Sequence, residues 1–362
     1  MTTDAVGGVW QYSIDLIAGL MASGAEILLA SMGPRPTAAQ RQQLAAIARA
    51  SFVESDYALE WMPNPWRDVD ACGEWLLHLE SDFKPHIVHL NGYRHAAFAW
   101  KAPVLVVAHS CVFSWWRAVH GCAPGDEWTE YKRRVTSGLN AATAVAAPSL
   151  FMARALENEY GFPAEHVQVI HNFSKMQPYN GAVKRPVILA AGRLWDQAKN
   201  VQLLDNIARR LDWPVYVAGN NNGPHGSTQR GTNVHLLGNL AYPELLDQYE
   251  RASIFVHPAV YEPFGLSVLE AARSRCCLVL SDIPSLRELW SDAAIFANAR
   301  DPDSWVSQLN ALTREAQLRH EFAGRAFTRS QRFCTESSIT EYLKFYRTLA
   351  ASNTTRPEEA AA

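Results

Sequence analysis

No Cys-x-x-Cys pair occurs, no apolar run nears the roughly 18 residues needed to span a bilayer, and no lysine or arginine precedes Arg35. Each absence removes a class of protein. Cys72, Cys111, Cys122, Cys276, Cys277 and Cys334 lack the spacing of a redox or zinc motif. They read as reduced thiols of a cytoplasmic protein. The opening MTTDAVGGVW has no basic segment and does not read as a secretory signal. A net charge of −3 argues against nucleic acid as the main partner and offers no polybasic face for membrane docking. Peripheral membrane contact stays open. No Asp-x-Asp pair stands where a metal-bridged diphosphate would need it. Asp68–Val69–Asp70 lies in a polar, helical stretch, and Asp301–Pro302–Asp303 reads as a helix-start loop. No metal site is expected.

What is there has a globular balance, 48% hydrophobic and 19% charged, over a length that suits two domains. Short β-branched runs alternate with amphipathic stretches, the pattern of an α/β protein with doubly wound, Rossmann-like parallel sheets. In the first half, strands are expected at residues 87–90, 104–108, 145–147 and 167–170, with a helix over 10–23. In the second, strands at 187–191, 215–218, 234–237, 254–256 and 278–280 alternate with helices at 200–210, 243–252 and 264–274. Helices over 303–312 and 316–329 follow. The expected division is a first domain at 1–172, a linker at 173–186, a second domain at 187–336, a closing helix at 337–351 that packs back on the first domain, and a disordered tail at 352–362.

Ligands of such sheets bind beyond the carboxyl ends of the strands, so residues just after strands carry the interest. AGRLWDQAKN places Arg193 and Lys199 around a loop entering a helix, an arrangement suited to a diphosphate. Taken alone, the pair reads better as two solvated surface cations near a turn. YEPFGLSVLEAA places Glu262 in a loop and Glu270 among apolar residues. A buried, unpartnered carboxylate costs several kcal/mol, so Glu270 needs a ribose's paired hydroxyls or a neighbouring donor of the chain itself.

Together these segments resemble the donor-site signature of the family-four retaining glycosyltransferases, through E-x7-E with an interposed P-F-G and GRLWDQAKN upstream. The resemblance implies GT-B architecture, two Rossmann-like domains facing a cleft, and a hexosyltransferase using a nucleotide sugar as co-substrate, with no separate cofactor. It implies that Arg193 and Lys199 hold the donor diphosphate, that Glu270 takes the ribose hydroxyls and that Glu262 lies against the transferred sugar. The backbone of Phe264, Gly265, Leu266 and Ser267 is expected at sugar or phosphate, and Asn239 and Leu240 near the base. His109, after a strand in VVAHSCVFSWW, takes the family histidine's place at the sugar. Gly7 and Gly8 resemble the loop after the family's first strand, where glycine lets backbone amides approach a ligand. Trp10, Tyr12, Trp115, Trp116 and Arg117 are the expected acceptor contacts, although tryptophans at this spacing are more often core. The acceptor, whether saccharide, lipid-linked or small molecule, carries no sequence signal.

One departure stands out. MTTDAVGG leaves the first strand almost wholly missing, so Met1 is expected to be an internal methionine of a longer chain. The alternative is a gapped first domain, which would make the protein a non-catalytic nucleotide-sugar binder. A nucleotide-sugar epimerase is a further rival, and it lacks the carboxylates it would need in the first domain.

Overall fold

The computed structural model describes residues 1–47, 50–176, 179, 181–221 and 232–354. The chain divides into two units. The first takes Met1–Arg117, Cys122–Asn172 and the chain from Thr335 onward, and the second takes Phe173–Cys334 with Ala118–Gly121. Most of the expected tail, residues 355–362, lies outside the described residues.

The first unit opens with β1 (Thr2–Asp4), α1 (Gly8–Ala22), β2 (Leu28–Met32), α2 (Ala38–Ala45) and β3 (Ser51–Glu54). Then come α3 (Trp66–Phe83), β4 (Val88–Leu90), β5 (Val104–Val107), α4 (Val112–His120) and α5 (Thr129–Ala141). It closes with β6 (Ala144–Ala147), α6 (Leu150–Tyr160) and β7 (Val167–Val169). Two parallel sheets result, ordered β1-β2-β3 and β4-β5-β6-β7.

Where the first strand was expected to be almost wholly missing, the three-residue β1 forms. Thr2 and Thr3 are β-branched, are buried, and pair with Ala30 and Ser31 of β2. The Met1 ammonium donates to the Leu28 carbonyl at 2.8 Å, and burial pushes it down to about 5. β1 and β4 share no ladder. Asn91, just past β4, bridges them instead: its backbone N–H donates to Thr2 Oγ1 at 2.9 Å and its Nδ2 to the Thr2 carbonyl at 2.7 Å. A cavity of about 550 Å³ beside this junction is lined by Met1, Leu28, Val88 and Tyr346 among others.

The second unit runs β8 (Arg185–Ala191), α7 (Val201–Ile207), β9 (Val215–Ala218), β10 (His235–Gly238), α8 (Tyr242–Arg251) and β11 (Ala252–His257). It continues with α9 (Leu266–Arg273), β12 (Cys277–Ser281), α10 (Pro284–Trp290), β13 (Ile295–Ala297), α11 (Pro302–Arg314) and α12 (Ala316–Ser330). The last helix, α13 (Thr335–Thr354), belongs to the first unit, where Tyr12 on α1 donates to Tyr342 at 2.7 Å. It takes in residues 352–354 of the expected tail.

The six-stranded parallel sheet of the second unit is ordered β10-β9-β8-β11-β12-β13. Leu189, Phe255, Leu278 and Leu280 enter one core, while Ile188, Val217, Ile254 and Val279 enter the other. Both faces are covered, which is why these strands read as continuous apolar runs. Each buried Leu, Ile or Val contributes about 1.5–3 kcal/mol.

From β8 the chain winds outward through β9 to β10, then returns to β8's other side and winds outward through β11, β12 and β13. The switch point therefore lies between β8 and β11. Crevices for ligands open at the carboxyl ends of strands there.

One glycine shapes this edge. Gly219, with φ of +144°, lies so close to the Gly192 carbonyl that a Cβ would stand 1.7 Å from its oxygen. Gly219→Ala is expected to lower stability by more than about 3 kcal/mol. Urea unfolding checks this, and a variant within 1 kcal/mol of the parent would refute it.

Candidate functional site

Two loops at the switch point carry the site. The loop after β8 holds Arg193 and Lys199, and the loop after β11 holds Glu262. They are tied together by the Val260 N–H to the Ala198 carbonyl at 2.8 Å. Asn200 adds bonds from Nδ2 to the carbonyls of Pro258 and Ala299, at 3.0 and 2.9 Å. Its left-handed backbone, φ 52°, lets the chain turn there into α7.

At the centre, Glu262 Oε2 accepts from Lys199 Nζ at 2.6 Å and from His257 Nε2 at 3.0 Å. All three side chains are largely buried. Burial pushes the Glu262 carboxyl up, but the Lys199 charge and the His257 hydrogen bond outweigh it and hold it well below the usual carboxylate range. Burial pushes His257 down, with Glu262 opposing, so the imidazole is neutral and donates through Nε2–H. His257 was not among the residues singled out from the sequence. Its place five residues before Glu262, at the end of β11, was the available signal.

Arg193 Nη2 pairs with the buried Asp196 at 2.7 Å, and Asp196 also accepts from the Ala198 N–H at 3.0 Å. Arg193 and Lys199 each therefore hold a carboxylate of the second unit. An ammonium has three N–H donors, so the pair with Glu262 leaves Lys199 donor capacity for an anion.

Glu270 sits on α9 at 5% exposure and accepts from the Tyr242 hydroxyl at 2.9 Å. Tyr242 lies on α8, 28 residues earlier, and the sequence reading missed it. Tyr242→Phe is expected to cost about 1.5–3 kcal/mol, the value of a hydrogen bond to a charged group. Thermal unfolding of the two proteins side by side measures it, and equal stability would refute it.

Gly265 starts α9 at φ +89°. The first helical bond runs from the Leu269 N–H to the Gly265 carbonyl, so the amides of Leu266 and Ser267 belong to the unbonded first turn. The Phe264 side chain is buried against Phe333, leaving its backbone to the edge. Asn239 and Leu240 follow β10, two strand spacings (about 10 Å) from β8 along the same edge.

In the first unit, His109 follows β5, with Tyr12 against its ring at a centroid distance of 4.4 Å. Its Nε2 lies 2.9 Å from Asn91 Oδ1, and burial pushes it down to about 3. Gly7 precedes α1 and Gly8 is its first residue.

The expected acceptor contacts divide. Trp10 and Tyr12 are core residues at 3% and 1% exposure, held by Gln43 and Tyr342, and are corrected from surface contacts to packing. Arg117 makes a two-pronged pair with the buried Glu159, at 2.8 and 3.1 Å. Trp115 and Trp116 keep partial exposure on α4.

The two Asp-x-Asp segments have structural roles. Asp70 pairs with Arg94 and Arg134, Asp301 caps α11, and Asp303 pairs with Arg210. No described helix is long and apolar enough to cross a membrane.

The family model described as Glycosyltransferase Family 4 matches residues 6–174, and that described as Glycosyl transferases group 1 matches residues 185–315. The O-antigen chain mannosyltransferase B of Escherichia coli is 24% identical over 187 residues, 52% of this chain and 44% of that protein. The O-antigen chain mannosyltransferase RfbU of Salmonella typhimurium is 26% identical over 165 residues, 42% of this chain and 46% of that protein. The matches thus span less than half the length of either relative.

Among solved structures, sucrose-phosphate synthase of Thermosynechococcus elongatus superposes with a TM-score of 0.76 at 15% identity, covering 97% of this chain and 99% of that one. HepE of Anabaena, solved with UDP-glucose, gives 0.72 at 15%, covering 96% and 99%. The two family matches, continuous but for a short gap and set on this fold, place the chain among the family-four-like glycosyltransferases of GT-B architecture.

Proposed function

We propose that the protein transfers a hexose from a nucleotide-sugar donor to an acceptor hydroxyl, with retention and without a bound metal, in the cytoplasm. The observation that carries the reading is the cluster Lys199–Glu262–His257, with Arg193 in the same loop as Lys199, at the switch point of the second unit's sheet. Arg193 and Lys199 hold the diphosphate, Glu270 takes the ribose hydroxyls, and Glu262 meets the sugar. The bond from the anomeric carbon to the diphosphate oxygen breaks, and the electron pair leaves with the diphosphate. The acceptor oxygen bonds to that carbon on the same face, and its proton passes to the leaving diphosphate. Arg193 and Lys199 stabilise the charge that develops there, where a fixed donor is worth about 10²–10³ in rate.

The names of the two curated relatives put a mannosyl donor first for testing, and HepE's complex puts UDP-glucose second. Release of nucleoside diphosphate from GDP-mannose, UDP-glucose and ADP-glucose tests the reading. Release from one donor, lost in Arg193→Ala, supports it. Tight binding with no release, with or without a panel of saccharide and lipid-linked acceptors, would favour the non-catalytic binder.

A further inference from the structure

Asn91 stands at the junction of the first unit's two sheets, and its amide orientation is determined by its neighbours. The Thr2 carbonyl, 2.7 Å away, can only accept, so Nδ2 must face it. Oδ1 then faces the other way, where His89 Nε2 lies at 3.1 Å and His109 Nε2 at 2.9 Å. A carbonyl oxygen has two lone pairs and no proton to give. Both imidazoles must therefore donate through Nε2–H.

His89 supplies an independent check. With its proton on Nε2, its Nδ1 is an acceptor, and the Tyr346 hydroxyl lies 2.6 Å from that atom, able to donate. The whole chain of bonds from Tyr346 through His89 and Asn91 to His109 is consistent in one direction only. At His109, Nδ1 has no hydrogen-bond partner among the described residues, and the residue keeps partial exposure. The result is a histidine delivered as a pure hydrogen-bond acceptor.

We propose that Asn91 is a positioning residue that locks His109 in the Nε2–H tautomer, so that its Nδ1 lone pair accepts a sugar hydroxyl hydrogen. The sugar contact rests on the transferase reading above; the tautomer does not. An acceptor of this kind discriminates for a hydroxyl and against a deoxy sugar at the same carbon, because the desolvated lone pair is left unmatched.

The test is two-bond 1H–15N correlation spectroscopy of the full chain labelled at its 12 histidines, with His109 assigned by loss of its signal in His109→Gln. The expected spectrum shows His109 protonated at Nε2. A proton on Nδ1, or an even mixture, overturns the proposal before any variant is made. Asn91→Leu removes the acceptor and is expected to give mixed tautomers. It should cut donor turnover about 10- to 100-fold while nucleoside diphosphate affinity stays within 2-fold.

Asn91→Asp keeps an acceptor and is expected to restore the Nε2–H signal and to raise the midpoint of the His109 titration. Thr2→Val loosens the β1–β4 junction without touching Oδ1 and should leave the tautomer unchanged and turnover within 3-fold. If Thr2→Val lowers turnover as far as Asn91→Leu does, Asn91 is a structural tie and the positioning role is wrong. A locked Nε2–H tautomer in a wild-type protein that turns over no donor supports the lock and overturns the sugar contact, together with the transferase reading.

Discussion

Glu270→Gln is expected to weaken nucleotide-sugar binding by at least about 100-fold, roughly 2.7 kcal/mol, while the protein stays folded. The carboxylate is 5% exposed and accepts from Tyr242, so it is held in place before any ligand arrives. Paired ribose hydroxyls donating to a charged acceptor contribute about 1.5–3 kcal/mol each. Glutamine keeps the size and an acceptor for Tyr242, yet loses the charge and turns an amine toward one hydroxyl. Isothermal titration with the preferred donor and with its nucleoside diphosphate measures the loss. Glu270→Ala is expected to abolish binding outright. If Glu270→Gln binds normally but melts many degrees lower, the carboxylate is structural and the ribose role is wrong.

Lys199→Met is the second large effect, and it acts on stability and turnover together. The variant leaves Glu262 buried with His257 as its remaining ion-pair partner among the described residues, and stranding a buried charge costs about 3–5 kcal/mol. Turnover is expected to fall about 10³-fold, because the same ammonium is proposed to serve the leaving diphosphate. The double variant Lys199→Met, Glu262→Gln removes the stranded charge, so it should regain most of the stability and none of the activity.

The pH dependence has a definite sign. A carboxyl held below its ordinary value of 4.5 stabilises the fold above that pH, and the contribution is lost as pH falls below it. The parent should therefore lose stability through this group in acid, and the double variant should lack that component. Urea unfolding from pH 7 down to pH 3 separates them, and parallel curves would refute the assignment.

The apolar runs at β5, β8, β9, β11 and β12 were legible because a strand covered on both faces has nowhere to place a polar residue. The candidate site residues were legible for a related reason: in a parallel sheet the chemistry gathers after strands, and Arg193, Lys199 and Glu262 stand in those loops. Elements that face solvent were not. β3 is exposed or half-buried along its length, so it shows no apolar signal strong enough to read.

What the chain order could not decide was partnership across distance. Tyr242 reaches Glu270 over 28 residues, Asn91 reaches His109 over 18, and Tyr12 reaches Tyr342 over 330. Each is a polar side chain whose sequence neighbours say nothing of its donor or acceptor. The sequence by itself determined the α/β class and set the candidate site residues at strand ends, because burial and strand-end position leave local marks. The tertiary structure decided how those residues are charged, paired and oriented, because a hydrogen bond depends on where its second partner folds.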